Sequence, residues 1–430
     1  IEKNISHETY IEDTSLLPVI GEENYYEIEF QDWIYKNKGN EMFNYCVLGG
    51  GRQGTSIAYD LLKFGDAQEV IIADIDFEKA TESANRNTKL LKSSNVRAVQ
   101  VNVNKEKQML ELLENVDVLI SAVPYHLNAM VTSYAIESST SMVDLGGHTG
   151  IVRAQLDRSS EAIEKGITIV PDCGMGPGMN VTMALLAMEQ LDSPEHVKIW
   201  DGGLPLNPVK PWNYASFFNI NGLTNEYDGD AFFIRDGKVT EVPCFDDIEV
   251  VSFGDKIGDL EAAVTSGGLS TMPWTFEGKL QTLENKTLRY FGHWDQMIAF
   301  RQLGLFDLEL MEFNNTKISP REFYHQLLEG KLNENPKEDV CIMRTEAIGE
   351  KNGKYTKAVV ETLEYFDQKT GFYAMEKWTG WHASIMAIRI VNGELKPGAI
   401  SVENAMSGSY FKKEAEKRGY EIDIKIETIG

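Results

Sequence analysis

Cysteine, histidine and positive charge are all scarce in this chain. Its four cysteines, Cys46, Cys173, Cys244 and Cys341, stand far apart, and no CxxC pair occurs. That spacing argues against a disulfide framework and against a zinc site, so no metal is expected. Reduced thiols of this kind suit a cytoplasmic protein. Basic residues number 41 against 66 acids, for a net charge of −25. Such a balance argues against nucleic acid and anionic membranes as partners. It is compatible with a cationic substrate, and solubility alone also accounts for it. No apolar run is long enough to span a bilayer, and no signal-peptide pattern is found.

What is present is a glycine-rich turn in a telling context. Gly49-Gly50-Gly51-Arg52-Gln53-Gly54 follows the apolar run Tyr45-Cys46-Val47-Leu48. The pattern reads as a buried strand, a tight turn and a helix opening at Thr55. Gly49 permits the turn, Gly51 lets the backbone approach a pyrophosphate, and Gly54 lets the helix pack closely on the strand. The helix N-terminus then offers free N–H groups to the phosphates. A second apolar run, Val70-Ile71-Ile72-Ala73, ends in Asp74, twenty residues after Gly54. An acid there accepts hydrogen bonds from a ribose 2′-OH and repels a 2′-phosphate, which points to NAD. The plain alternative is a strand-to-helix turn without a ligand.

With 430 residues, 42% hydrophobic and 25% charged, the chain is an ordinary globular protein of more than one domain. Residues 1–41 stand apart as an acidic extension with ten acids and only Lys3, Lys36 and Lys38 as bases. Their aromatics, among them Tyr25, Phe30 and Trp33, suggest partial packing on the body. From Phe43 to about Val170 strands and helices alternate. Strands are predicted at 43–48, 70–74, 97–101, 117–122, 141–144 and 167–170, and helices at about 54–64, 77–92, 105–114, 127–137 and 154–165. This is a Rossmann-type α/β domain with a doubly wound parallel sheet, bounded at 42–171. Residues 172–380 read as a second, mixed α+β domain. Hairpin turns are predicted at Asp236-Gly237 and Asn352-Gly353, and a capped helix at Ser319-Pro320-Arg321-Glu322. Residues 381–430 read as a helical segment returning to the first domain, with helices from Gly380 to Val391 and over 410–418.

Five motifs in order carry a family resemblance. They are Gly49–Gly54 with Asp74, Val143-Asp144-Leu145-Gly146-Gly147-His148, Asp172-Cys173-Gly174-Met175-Gly176-Pro177-Gly178, Thr265-Ser266-Gly267-Gly268, and Leu288-Arg289-Tyr290-Phe291-Gly292-His293. Together the chain resembles the saccharopine dehydrogenase superfamily, and within it most of all the lysine 6-dehydrogenases, over about residues 42–425. The resemblance implies hydride transfer from an amine-bearing carbon to a nicotinamide. For lysine it implies oxidation at the 6-amino carbon to the 6-semialdehyde, which cyclises. It also implies a homodimer formed through the second domain. Ala122, Val123, Pro124 and Gly146 join Gly49, Gly51, Arg52, Gln53, Gly54 and Asp74 as expected NAD contacts. Saccharopine reductases and carboxynorspermidine-type dehydrogenases share much of the pattern. A catalytically silent NAD-binding sensor remains a reading from another class.

The chemistry sets its own demands. An ammonium must lose its proton before hydride leaves, and its free pKa is about 10.4. A histidine poised nearer neutrality would serve as the base. His148 follows a strand through a Gly-Gly turn, at the sheet edge where open α/β folds place ligands, with Asp144 nearby. His293 is expected to end a strand, so alternation would put it on one face with Arg289. Arg289 is the expected cation for a substrate carboxylate. Thr265, Ser266 and Gly267 offer hydroxyls and N–H groups for anion capture.

Overall fold

The computed structural model describes residues 41–333 and 338–429. The acidic stretch 1–40, with the aromatics expected to pack on the body, lies outside them. Six strands open the described chain: β1 (Phe43–Leu48), β2 (Ala67–Asp74), β3 (Val96–Gln100), β4 (Val118–Ser121), β5 (Ser141–Asp144) and β6 (Thr168–Val170). They pair in parallel in the order β6-β5-β4-β1-β2-β3. Each crossover carries helix, which covers both sheet faces and explains the near-continuous apolar strands. In this half three elements differ from expectation by more than a residue. β2 begins at Ala67, three residues before the expected 70. The first helix, Arg52–Phe64, begins inside the glycine motif, three residues before Thr55. The single helix expected over 154–165 is two, Thr149–Leu156 and Ser159–Lys165. They part where the Arg158 N–H turns back to Gln155 O, a tightened i−3 bond that closes the first of them.

Past Pro171 the sheet type changes. The strands are β7 (Ser193–Pro205), β8 (Asp230–Arg235), β9 (Lys238–Pro243), β10 (Glu249–Ser252), β11 (Asp259–Val264), β12 (Thr282–Arg289), β13 (Met311–Phe313), β14 (Thr316–Ile318), β15 (Asp339–Lys351) and β16 (Lys354–Tyr365). β13 and β14 form their own small hairpin; the rest build a mixed sheet with β10-β11-β12-β7-β15-β16 along its main path. β12 and β7 run parallel, and the other neighbours are antiparallel. Both predicted hairpin turns are present. Asp236 and Asn352 take φ of 50° and 51°, each followed by a glycine with positive φ, as a type I′ turn requires. The helix Pro320–Asn333 starts at its predicted cap, where the Glu322 N–H donates to Ser319 Oγ at 3.2 Å.

The last segment serves both sheets. β17 (Gly398–Ala399) lies parallel outside β6 as a seventh strand, and β18 (Ile422–Thr428) pairs antiparallel with β16. The helical reading of 381–430 is corrected to this extent. The helix expected from Gly380 starts at Ala374, where Glu376 folds back to accept the Tyr373 N–H at 3.1 Å. That helix, Ala374–Val391, packs on Arg52–Phe64, on β4 and β5, and on β15 of the other sheet. It is buried on nearly every side, so the two sheets share one continuous core. A Cβ at Gly380 would lie 3.0 Å from Ser56 Oγ, so glycine lets the two helices approach without displacing that side chain. Close by, Arg418 donates from Nε and Nη2 to the buried Asp60 carboxylate at 2.9 Å.

Candidate active site

The glycine turn has the geometry that a phosphate cradle needs. Gly49 has φ +108°, and a Cβ there would stand 2.6 Å from Ala122 O. A Cβ on Gly54 would come 1.8 Å from Gly49 O, so the helix cannot sit this close with any other residue. Around Gly51 the position is open, with no atom within 4 Å of a Cβ. Open space beside an uncapped helix start is what a pyrophosphate needs. Asp74 ends β2, and its carboxylate accepts the Gly50 N–H at 2.7 Å and the Asp76 N–H at 2.9 Å. It therefore fixes the glycine turn and still has lone pairs for a ribose. These residues fit a nicotinamide dinucleotide. Ala122, Val123 and Pro124 lead out of β4 beside them, and Gln53 lies on the same first helical turn. Arg52 reaches away from the turn. Its Nη1 donates to Ser216 O at 3.2 Å and its guanidinium lies 5.2 Å over the Tyr373 ring.

At the C-terminal end of β5 the Asp144 carboxylate is wholly buried. It accepts the Gly146 N–H at 2.8 Å, Gln155 Nε2 at 2.7 Å and the Asp172 N–H at 3.2 Å. Asp144 thus positions the turn that carries His148. His148 itself is exposed and stacks on Tyr125, with ring centroids 5.8 Å apart. Beside it, Asp172 closes onto Gly146, where a Cβ would stand 1.9 Å from Asp172 Oδ1. Burial, with the neighbouring Asp144 charge, pushes the Asp172 carboxyl up to about 7. The loop from Asp172 to Gly178 runs from here towards the second sheet. A Cβ at Gly176 would stand 2.9 Å from Asp201 Oδ2.

Arg289 is the centre of the second half. It ends β12 with 3% of its surface exposed. Its Nε donates to Tyr227 Oη at 2.9 Å and its Nη1 to Leu288 O at 2.9 Å. Its Nη2 faces Glu226 at 3.6 Å, longer than a hydrogen bond. The guanidinium also lies 4.9 Å over the Tyr214 ring. Two acids flank it. Burial raises Glu226 to about 7 and Asp201 to about 6, against the pull of Arg289 on both. At neutral pH Asp201 is mostly ionised and Glu226 is poised between its two forms. A buried cation with an unfilled donor is a ready place for a carboxylate.

His293 is corrected in its placement. β12 stops at Arg289, and Gly292, with φ +86°, turns the chain so that His293 opens a helix, His293–Gln302. Phe291 is 49% exposed while Arg289 and His293 are buried, so the three do not share a strand face. His293 and Arg289 meet all the same, through Tyr227, whose hydroxyl lies 3.0 Å from His293 Nε2. Burial, then Arg289, holds the His293 imidazole well below its usual pKa. Thr265 and Ser266 are committed elsewhere. Thr265 Oγ1 bonds Thr287 Oγ1 at 2.7 Å, and Ser266 Oγ donates to Asn225 O at 2.8 Å. Ser266 anchors the segment that carries Glu226, its N–H donating to Glu226 O at 2.8 Å, while Thr265 is held to β12. Gly267 stays open, with φ +79° and nothing near a Cβ.

The two halves are joined directly. Asn225 Nδ2 donates to Gly147 O at 2.9 Å, so the turn bearing His148 is tied to the residue preceding Glu226. Glu226, Tyr227 and Asp201 were not evident from the sequence. Glu226 ends a seven-residue helix, Ile220–Glu226, and Asp201 sits inside β7 opposite Thr287. No local motif marks either. The buried polar run along β12, with Glu284, Asn285, Lys286, Thr287 and Arg289, was the available signal, since polar residues inside a sheet are costly without purpose. Among the described residues no cluster of His, Cys, Asp or Glu is arranged to hold a metal, and no helix is long and apolar enough to cross a membrane. All four cysteines are buried and free.

Known proteins resemble both halves. Residues 45–170 match the saccharopine dehydrogenase NADP binding domain, and residues 174–420 match the saccharopine dehydrogenase C-terminal domain. The mitochondrial alpha-aminoadipic semialdehyde synthase of Mus musculus is 26% identical over 254 residues, 55% of this chain and 26% of that protein. The NADP(+), L-glutamate-forming saccharopine dehydrogenase of Saccharomyces cerevisiae is 24% identical over 175 residues, 39% of each. The chain thus spans about a quarter to two-fifths of the length of these curated relatives. The solved apo structure of the Saccharomyces cerevisiae saccharopine dehydrogenase (L-Glu forming) superposes with a TM-score of 0.72 at 18% identity, over 90% of this chain and 100% of that one. That likeness establishes the fold. With both domains matched, from residue 45 to 170 and from 174 to 420, the chain belongs to the saccharopine dehydrogenase family.

Proposed function

We propose that this protein is an NAD-dependent amino-acid oxidoreductase that oxidises an amine-bearing carbon, with L-lysine as substrate and its 6-amino carbon as the reacting centre. The observation that carries the reading is Arg289: a buried guanidinium with one donor unfilled, flanked by two acids raised towards neutrality. Arg289 would take the substrate carboxylate on Nη2. Asp201, with Glu226 ionising beside it, would then face the α-ammonium. Bound nicotinamide supplies the hydride acceptor. His148, exposed at the sheet edge and braced by Tyr125, would accept the proton of the reacting amine. His293 sits behind Tyr227 and would steady Arg289 rather than touch the substrate.

NAD is preferred in this reading because Asp74 stands where a 2′-phosphate would lie, with Asp76 two residues on. Saccharopine is the second reading, favoured by the names of the relatives, one of which carries NADP(+) in its name. One experiment separates them. Reduced nicotinamide is followed by absorbance with lysine, saccharopine, ornithine and carboxynorspermidine, each with NAD and NADP. The proposal expects lysine with NAD to be the best pair. Saccharopine as the best substrate would replace lysine, and NADP as the better cofactor would overturn the role given to Asp74. A homodimer and a cytoplasmic location belong to the same proposal. Leu308, Leu310, Phe313, Phe323 and Leu327, all more than half exposed on the second domain, would form part of the dimer face.

A further inference from the structure

A cavity of about 630 Å³ opens at the far edge of the first sheet, where β17 runs on into Ile400 and Ser401. Its walls come from three parts of the chain. The helix Thr149–Leu156 contributes Arg153, with Asp157 just beyond it. The segment following Gly268 contributes Thr271, Trp274 and Thr275, and the third wall is the returning segment after β17. None of these residues belongs to the glycine cradle or to the group around Arg289. β17 is four strands from β1 in the sheet order, ~19 Å at the usual strand spacing.

The wall from the helix Thr149–Leu156 carries charge of both signs, Arg153 and the exposed Asp157 one turn on, while the facing wall carries an acid alone. On one side the exposed Arg153 guanidinium lies 3.8 Å over the Trp274 ring. Among the described residues it makes no ion pair; the pair on this stretch is Arg158 with Glu161. On the other side, Thr271 Oγ1 and Thr275 Oγ1 both donate to Glu403 Oε1, at 2.9 and 2.6 Å. Their protons are committed, so each hydroxyl has only lone pairs left to offer. Glu403 is 8% exposed, and its Oε2 has no partner among the described residues. A buried carboxylate without a cation leaves that wall negative and in need of a positive donor. Trp274, Leu156 and Ile400 add apolar surface to the lining.

We propose that this cavity is a binding site for a free α-amino acid, separate from the site at Arg289. The ligand's ammonium would sit on the Thr271 and Thr275 oxygens above Glu403. Its carboxylate would take the Arg153 fork, and its side chain would lie along Trp274. Because the walls come from both domains, occupancy holds the helix Thr149–Leu156 against Met272–Phe276.

The test is calorimetric titration of the full chain with L-lysine, with cadaverine, which lacks the carboxylate, and with hexanoate, which lacks the ammonium. Arg153→Ala and the double variant Thr271→Val, Thr275→Val are titrated alongside. Arg153 lies on an exposed helix surface, so its variant should keep the wild-type melting temperature. The proposal expects one lysine site to weaken tenfold or more in each variant, and cadaverine and hexanoate to bind that site at least tenfold more weakly than lysine. If the Arg289 site binds lysine too, that second event survives Arg153→Ala; if it does not, the variant loses the only event. Wild-type stoichiometry and affinity in Arg153→Ala would overturn the assignment. So would cadaverine or hexanoate binding the Arg153-dependent site as well as lysine does.

Discussion

Arg289 donates to Tyr227, and His293 braces that tyrosine from the far side. Lysine at position 289 keeps the charge but loses the planar fork. Arg289→Lys should therefore lower kcat/KM for L-lysine by about tenfold to a hundredfold, the size of one or two charged hydrogen bonds. A simple amine without a carboxylate should lose little. His148→Ala should lower turnover by about a hundredfold, the usual scale of a general base, with NAD affinity unchanged. Full turnover in that variant would assign the proton to another group. Asp172 gives a pH signature. Its folded pKa, about 7, lies above the unfolded value of 3.8, so between these the folded chain holds a proton that the unfolded chain has lost. Stability from this group is full below the lower value and is lost as pH rises through the upper one. Each such proton changes stability by at most about 1.4 kcal/mol per pH unit. Denaturant unfolding of Asp172→Asn should show a shallower fall between pH 5 and 7 than the wild type; an equal slope would contradict the shift.

The glycine turn makes a prediction at the scale of an element. A methyl at Gly51 meets no protein atom, whereas one at Gly54 would collide with Gly49 O. Gly51→Ala should leave the melting temperature within a degree or two while weakening nucleotide binding tenfold or more. Gly54→Ala should lower both. Equal nucleotide binding in Gly51→Ala would mean that the pyrophosphate lies elsewhere. The buried Asp60–Arg418 pair ties the last helix, Gly408–Lys417, to the first, Arg52–Phe64. Arg418→Met leaves an uncompensated carboxylate and should cost about 3–5 kcal/mol in unfolding experiments. The elements that could be read from sequence were those whose pattern is set locally. The strands of the first sheet are apolar on both faces, and the two hairpin turns carry their own chemistry in Asp236-Gly237 and Asn352-Gly353. The helix Ala374–Val391 was misjudged at its start because both its faces are buried, so no polar stripe marked its first turns. His293 was read as strand because the alternation continues past Arg289, and only the left-handed Gly292 breaks it.

For the whole molecule, the site depends on assembly that no local pattern records. Arg289 and the glycine cradle could be picked out singly, while Glu226 and Asp201 reach Arg289 only because β12 lies beside β7 and because Ile220–Glu226 ends against it. The exposed apolar group at Leu308, Leu310, Phe313, Phe323 and Leu327 carries a prediction for assembly. Leu310→Asp with Phe323→Asp should convert a sedimenting dimer to a monomer without unfolding it; an unchanged dimer would move the interface elsewhere. Under the proposed function, the nicotinamide cradle and the Arg289 site act together in one redox reaction. The most direct measurement is the rate of nicotinamide reduction with NAD and L-lysine, in wild type and in Arg289→Lys, with NAD affinity measured in parallel. The wild type should reduce the nicotinamide steadily, and the variant should lose at least tenfold in kcat/KM at equal NAD affinity. Tight NAD binding with no reduction by lysine, saccharopine, ornithine or carboxynorspermidine would contradict it and leave a protein that binds the nucleotide without turning it over.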